Sequence, residues 1–270
     1  MNILFNAIEK NNIELIQSFL ENIKNNLNIY DKFLFFNIKI EIDFNNTDIY
    51  GRTPIYFASK LNRKKIVNLL LNNEFIDINK SDKCNRTPFY IACYNENLEI
   101  IELFLKHKNL DINKVDNDGI SPFFNACFYN NKHMVKLLLG NDIIQCNILN
   151  KNLITPFYIV CRYNRLDVID ILLDDARIDI NKCDIDGNNP FYIACYLKNN
   201  EIVKKILSSN RKINIENKKV EIVNYMNIYK NNTLIKKQIS KNQKLIFAAA
   251  DGDIDLLKIL IKKNLYFKII

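Results

Sequence analysis

Apolar and polar positions in this chain recur in blocks of fixed order. Residues Thr87-Pro88-Phe89-Tyr90-Ile91-Ala92-Cys93 give a short apolar run behind a capping residue and a proline, the pattern of a short helix. Leu98, Ile101, Phe104 and Leu105 follow at helical spacing and predict a second helix, with Leu103 expected in the core as well. The block closes with the extended Asp111-Ile112-Asn113 and the polar turn Asp116-Asn117-Asp118-Gly119. The same grammar returns throughout. The five prolines, Pro54, Pro88, Pro122, Pro156 and Pro190, each lie 34 residues after the last. A period of this size signals stacked supersecondary units, each too small to bury its own apolar face.

The positions within a block have separate jobs. Thr53, Thr87, Ser121, Thr155 and Asn189 precede the prolines and are expected to cap the first helix. Proline then occupies the first helical position, where a missing N–H costs nothing. Ala58, Ala92, Ala126, Val160 and Ala194 form a row of small residues that should line the tightest contact between neighbours. Asn62, Asn97, Asn131, Asn164 and Asn199 are expected at the turn between helices, where asparagine tolerates left-handed dihedrals. Two atypical units extend the array. Residues Leu4 to Leu20 align with Phe89 to Leu105, Ala7 falling on Ala92, and Ile246 to Ile261 align likewise through Ala248. Both carry insertions. The first is apolar (Tyr30, Phe33, Leu34, Phe35, Phe36) and is expected to pack on the first units or to dock a partner.

Composition changes this picture little, except for charge. With 48% hydrophobic and 25% charged residues the chain is that of an ordinary soluble protein. No long uncharged apolar run suggests a membrane span, and Met1 to Leu20 lacks the pattern of a signal peptide, so an intracellular, cytoplasmic protein is expected. The net charge of +8 is concentrated between Lys198 and Lys244, where twelve Lys/Arg face three acids. That stretch suggests either a solvated face or a site for nucleic acid or anionic lipid. Of the seven cysteines, Cys93, Cys127, Cys161 and Cys195 share one repeat position and read as reduced packing residues; Cys84 and Cys183 lie near turns and are expected to be more exposed. His107 and His133 lack the spacing of a zinc site and read as solvated. No phosphate loop, nucleophile elbow or HExxH is present, so no catalytic, cofactor-binding or metal-binding residue is expected.

Helix, tight turn, helix and projecting hairpin every 34 residues, with TPFY and DIN motifs, resembles the ankyrin repeat. The resemblance implies an all-α helical repeat solenoid with short projecting β-hairpin loops. It divides the chain into an atypical N-terminal capping repeat with its insertion (1–47), repeats at 48–81, 82–115, 116–149, 150–183 and 184–217, and a basic insertion with a C-terminal capping repeat (218–270). The sequence departs from the family where Tyr56, Tyr90, Tyr158, Tyr192 and Phe124 replace the motif histidine. A tyrosine hydroxyl can restore a hydrogen bond there; Phe124 cannot. The resemblance implies a monomeric, non-enzymatic scaffold that binds a protein partner, with no small-molecule substrate and no cofactor. In the family the residues just past the first helix, with the hairpin tips, face a concave groove. Here these are Tyr94, Phe128, Tyr129, Arg162, Tyr163 and Tyr196, with Arg52, Arg86 and Lys151 at the tips. Tyr50, Lys83, Asn117, Ile120, Ile154 and Asn188 extend that tip surface. The alternative is that part of this row packs against the neighbouring unit.

Overall fold

The computed structural model describes residues 3–24, 43–209 and 211–214, and every regular element in them is an α-helix. The helices come in pairs, a short first one and a longer second one. They are α1 (Ile3–Glu9) with α2 (Ile13–Lys24), α3 (Pro54–Lys60) with α4 (Lys64–Leu71), and α5 (Pro88–Tyr94) with α6 (Leu98–Leu105). Then follow α7 (Pro122–Phe128) with α8 (Lys132–Leu139), α9 (Pro156–Arg162) with α10 (Leu166–Asp174), and α11 (Pro190–Tyr196) with α12 (Asn200–Ser208). Residues 25–42, the basic stretch beyond 214 and the pair aligned on Ala248 lie outside the described residues.

The helix starts follow from capping. Thr53, Thr87, Thr155 and Asn189 accept from the backbone N–H of Tyr56, Tyr90, Tyr158 and Tyr192, and Ser121 accepts from that of Phe124 at 3.0 Å. Between the helices the chain reverses through a left-handed residue eight positions after each proline. The residues there are Asn62, Glu96, Asn130, Asn164 and Lys198, with φ between 54° and 59°. The expectation for Asn97, Asn131 and Asn199 is therefore displaced by one. These three stand at the N-cap of the second helix, where Arg63 and Arg165 stand in the other two pairs. Two of their side-chain amides reach the preceding repeat: Asn97 Nδ2 donates to Ser59 O at 2.9 Å and Asn199 Nδ2 to Cys161 O at 2.8 Å.

The described residues fall in two compact units. One holds those up to Asn125 together with Asn141–Ile144, and the other holds Ala126–Gly140 with those from Gln145 onward. In the first, α1, α3 and α5 pack in sequence, as do α2, α4 and α6; in the second, α9 packs on α11, and α8, α10 and α12 pack in sequence. Ala58, Ala92, Ala126, Val160 and Ala194 are fully buried. So are Ile100, Ile101 and Phe104 of α6, whereas Leu98, Leu103 and Leu105 are only half-buried because they flank the buried face. Cys93, Cys127, Cys161 and Cys195 are buried, and burial pushes each thiol above its ordinary value, which suits packing and not reactivity.

Two side-chain ladders stitch successive loops together. Asn45 donates to Phe75 O at 2.7 Å and accepts from Asp77 N at 2.8 Å. Asn79 repeats this with Asn109 O (2.6 Å) and Asp111 N (2.9 Å), Asn147 with Arg177 O and Asp179 N, and Asn181 with Lys212 O and Asn214 N. Asn79 and Asn181, which end DIN motifs, and Asn45 and Asn147 at the equivalent positions thus act as two-way clips. The second ladder uses the tyrosines. Tyr56, Tyr90 and Tyr158 donate to the carboxylates of Asp82 (2.9 Å), Asp116 (2.7 Å) and Asp184 (2.5 Å), each 26 residues on. Twenty-six residues after Phe124 the chain has Asn150, so the position without a hydroxyl is matched by a position without a charge.

Charge on the second helices alternates in sign along the sequence. Glu14 and Glu21 lie on α2, Lys64 and Lys65 on α4, and Glu99 and Glu102 on α6. Lys132 and Lys136 follow on α8, Asp167, Asp170 and Asp174 on α10, and Lys204 and Lys205 on α12 with Glu201. Lys64 pairs with Glu99 at 2.8 Å and Lys205 with Asp170 at 2.6 Å.

Candidate partner-binding surface

Each projecting loop is organised by one Asp or, at position 150, by Asn. Asp82 accepts the backbone N–H of Cys84 and Arg86 through Oδ1, and the Arg86 guanidinium and the Tyr56 hydroxyl through Oδ2. Burial by itself would raise this carboxyl, but the hydrogen bonds from Arg86 and Tyr56 outweigh it and hold the group below its ordinary value. The tip is closed by Asp82 N to Arg86 O at 3.0 Å and Asn85 N to Asp82 O at 2.9 Å. The same closure occurs at Asp48, Asp116, Asn150 and Asp184. Each hairpin is too short to form a ladder, and no strand occurs among the described residues.

This architecture fixes the tip candidates. Arg52 pairs with Asp48 at 2.5 Å and lies over the Tyr50 ring at 4.6 Å; Arg86 pairs with Asp82 at 2.7 Å. Both arginines hold their own loops. Lys151 is exposed, while Ile120 is half-buried and Ile154 is buried, so these two isoleucines lie beneath the tips. Cys84 is exposed and Cys183 half-buried.

The row past the first helices is more open. Tyr94, Tyr129, Tyr163 and Tyr196 are 46%, 37%, 47% and 67% exposed, high values for large aromatics. Tyr94 belongs to the first unit. In the second unit the candidates converge. Phe128 meets Tyr129 and Tyr163 edge-on, with centroids 5.2 and 5.4 Å away. The Arg162 guanidinium lies 5.9 Å from the Tyr163 centroid, and Tyr196 stacks on Tyr192 at 6.0 Å. The structure adds Arg165, which the sequence reading omitted. Its guanidinium lies 5.4 Å from the Phe128 centroid and 5.7 Å from that of Tyr163. The signal was an arginine at a position where three other blocks have asparagine. Its placement follows from the loop: Asn130 donates to Asp167 at 2.5 Å and accepts its backbone N–H at 3.2 Å, tying the α7–α8 turn to the start of α10.

Such a cluster offers aromatic area held by ring-to-ring packing, with cationic groups at its margin. It is chemistry for recognition. His107 accepts from its neighbour Asn109 N, and His133 is exposed on α8. Among the described residues no helix is long and apolar enough to cross a membrane.

Comparison with known proteins agrees with this geometry. The family model for ankyrin repeats in three copies matches residues 75–150 and 123–218, and the single ankyrin repeat model matches 50–83. No curated protein sequence matches. Among solved structures, an ankyrin repeat domain from Acinetobacter baumannii AYE is similar at a TM-score of 0.64 and 20% identity, over 77% of this chain and 98% of that one. The ankyrin repeat protein EF0377 is similar at a TM-score of 0.65 and 21% identity, over 77% of this chain and 97% of that one. At such identities the likeness concerns the fold, an all-α ankyrin solenoid, in repeats that generally serve as protein–protein interaction modules. With its family model covering more than half of its length, and with capped helix pairs every 34 residues, this chain belongs to the ankyrin repeat family.

Proposed function

We propose that this protein is a non-catalytic scaffold that binds a protein partner on the row just past its first helices. The observation that carries this reading is the group formed by exposed Tyr129, Arg162 and Tyr163 with half-buried Phe128 and Arg165. Aromatic residues and arginine are the types enriched in interface cores. Their rings are already packed edge to edge, so binding orders few side chains and loses little entropy. Tyr196 and Lys151 add further exposed side chains in the second unit, and the first unit offers Tyr94 at the same repeat position. Arg52 and Arg86 contribute indirectly, through the loops they hold.

The test compares partner recovery by the wild-type chain and by a Tyr129→Ala, Arg162→Ala, Tyr163→Ala triple variant. All three residues are exposed, so the variant should fold, which a far-UV spectrum and thermal melt would check. Recovery of the same partners by the folded variant would refute the surface assignment.

A further inference from the structure

We propose that the second unit's aromatic cluster selects an acidic peptide segment bearing an apolar side chain; this rests on the reading above and adds the chemistry of the partner. The chain has seven arginines. Five of them are already engaged. Arg52, Arg86 and Arg177 pair with Asp48, Asp82 and Asp175. Arg63 donates to Glu9 O at 2.8 Å, and Arg211 to the carbonyls of Leu173, Asp175 and Ile178. Among the described residues, no carboxylate or carbonyl hydrogen bond holds Arg162 or Arg165. They lie against the rings.

Loop ties bring further cations to the same place. Asn199 Nδ2 donates to Cys161 O and Arg162 O, which sets the α11–α12 turn, with Lys198, beside the end of α9. The Asn130–Asp167 tie sets the α7–α8 turn, followed by Lys132, on the other side. Asp167 is the acid in these ties, and it is occupied by Asn130 from both its side chain and its backbone. One Asp167 oxygen accepts from the Asn130 amide and the group stays anionic, so the four cations Arg162, Arg165, Lys132 and Lys198 outnumber it and leave the surface net cationic. A guanidinium fork matches a carboxylate with two parallel bonds. An apolar side chain supplied next to that carboxylate would cover the edges of Phe128, Tyr129 and Tyr163. A nucleic acid fits less well. Phe128 meets both tyrosines at 79°, and Arg165 overlies Phe128 and Tyr163, so no run of parallel ring faces is left for bases.

The experiment is selection from a random peptide library on the immobilised full chain, followed by fluorescence anisotropy with the synthetic consensus peptide. The expected consensus places Asp or Glu beside Phe, Leu, Ile or Met. Its affinity should fall at least tenfold in Arg162→Glu, Arg165→Glu, since losing a charge-assisted bond is worth about that much. The neutral pair Arg162→Gln, Arg165→Gln should show an intermediate loss and guards against misfolding of the reversed pair. A neutral or basic consensus that is lost in Tyr129→Ala, Tyr163→Ala would overturn the acidic assignment and leave the surface standing. An acidic peptide indifferent to both arginine pairs, its displacement by single-stranded DNA, or no enrichment at all would also overturn it. A consensus indifferent to the tyrosine variants would refute the surface as well.

Discussion

Removing one oxygen atom from Tyr158 tests the tie between a first helix and the following loop. Tyr158 is fully buried and its hydroxyl donates to Asp184 at 2.5 Å. Hydrogen bonds to charged groups contribute about 1.5–3 kcal/mol, and Asp184 is half-buried, so Tyr158→Phe should cost about 1–2 kcal/mol. With an unfolding slope of about 2–3 kcal/mol per molar urea, the midpoint falls by about 0.5 M. The pH dependence has a definite sign. Burial would raise the Asp184 carboxyl, but hydrogen bonds from Tyr158, Asn188 and Asp186 outweigh it and hold it below the ordinary 3.8. A depressed folded value contributes stability above about pH 4 and loses it as the pH falls through that value. Burial, then the bond to Asp184, raises the Tyr158 hydroxyl above its ordinary 10.0, so that contribution is lost as the pH climbs past 10. The gap between wild type and variant should thus be flat from about pH 5 to 9 and narrow on both sides. Asp184→Asn in the Tyr158→Phe background installs the residue types that positions 124 and 150 already carry, and Asn150 Oδ1 still accepts from Asn152 N and Ile154 N. The cycle should show a coupling of about 1 kcal/mol. Urea curves that coincide for wild type and Tyr158→Phe, or a gap unchanged at pH 3, would refute the reasoning.

Other perturbations probe other parts of the fold. Leu153 is held at φ 57° at a loop tip where Gly51, Asn85, Gly119 and Gly187 stand in the other repeats. Leu153→Asn should stabilise by about 1 kcal/mol, read as a higher urea midpoint, because a branched side chain is strained there and the leucine is already 44% exposed. Asn79→Ala breaks the clip to Asn109 O and Asp111 N and should cost about 1–2 kcal/mol by the same measurement. Ala92→Leu, in the fully buried small-residue row, should cost about 1–3 kcal/mol by overpacking, seen as a lower melting temperature. Thiol labelling of the native chain should modify Cys84 quickly, and Cys93, Cys127, Cys161 and Cys195 only on unfolding.

The helix starts could be read from Thr53, Thr87, Thr155 and their prolines, because capping is local chemistry. The buried alanine row could be read from its period. The turn residue could not be placed to within one position. Asparagine suits both a left-handed turn and an N-cap, and Asn130 and Asn131 are adjacent. The tyrosine ladder was legible as a possibility, since a hydroxyl can donate. Its acceptor required the spacing of 26 residues between a helix and the following loop, which only the folded chain brings to 2.5–2.9 Å. Exposure separated the site residues in the same way. Arg52 and Arg86 look like surface cations in sequence, but Asp48 and Asp82 engage them. Arg165 was hidden because one of the two rings it overlies, Phe128 at the end of α7, comes from the preceding block.

The alternating charge of the second helices limits how an array like this can change length. Excise α3 and α4, and Glu14 and Glu21 would face Glu99 and Glu102 across the new seam. Excise α9 and α10, and Lys132 and Lys136 would confront Lys204 and Lys205. Like charges directly opposite are unfavourable, so a single lost or gained module leaves a mismatched joint, whereas a pair restores the sequence of signs. Genetic slippage in such a gene would be tolerated in even steps.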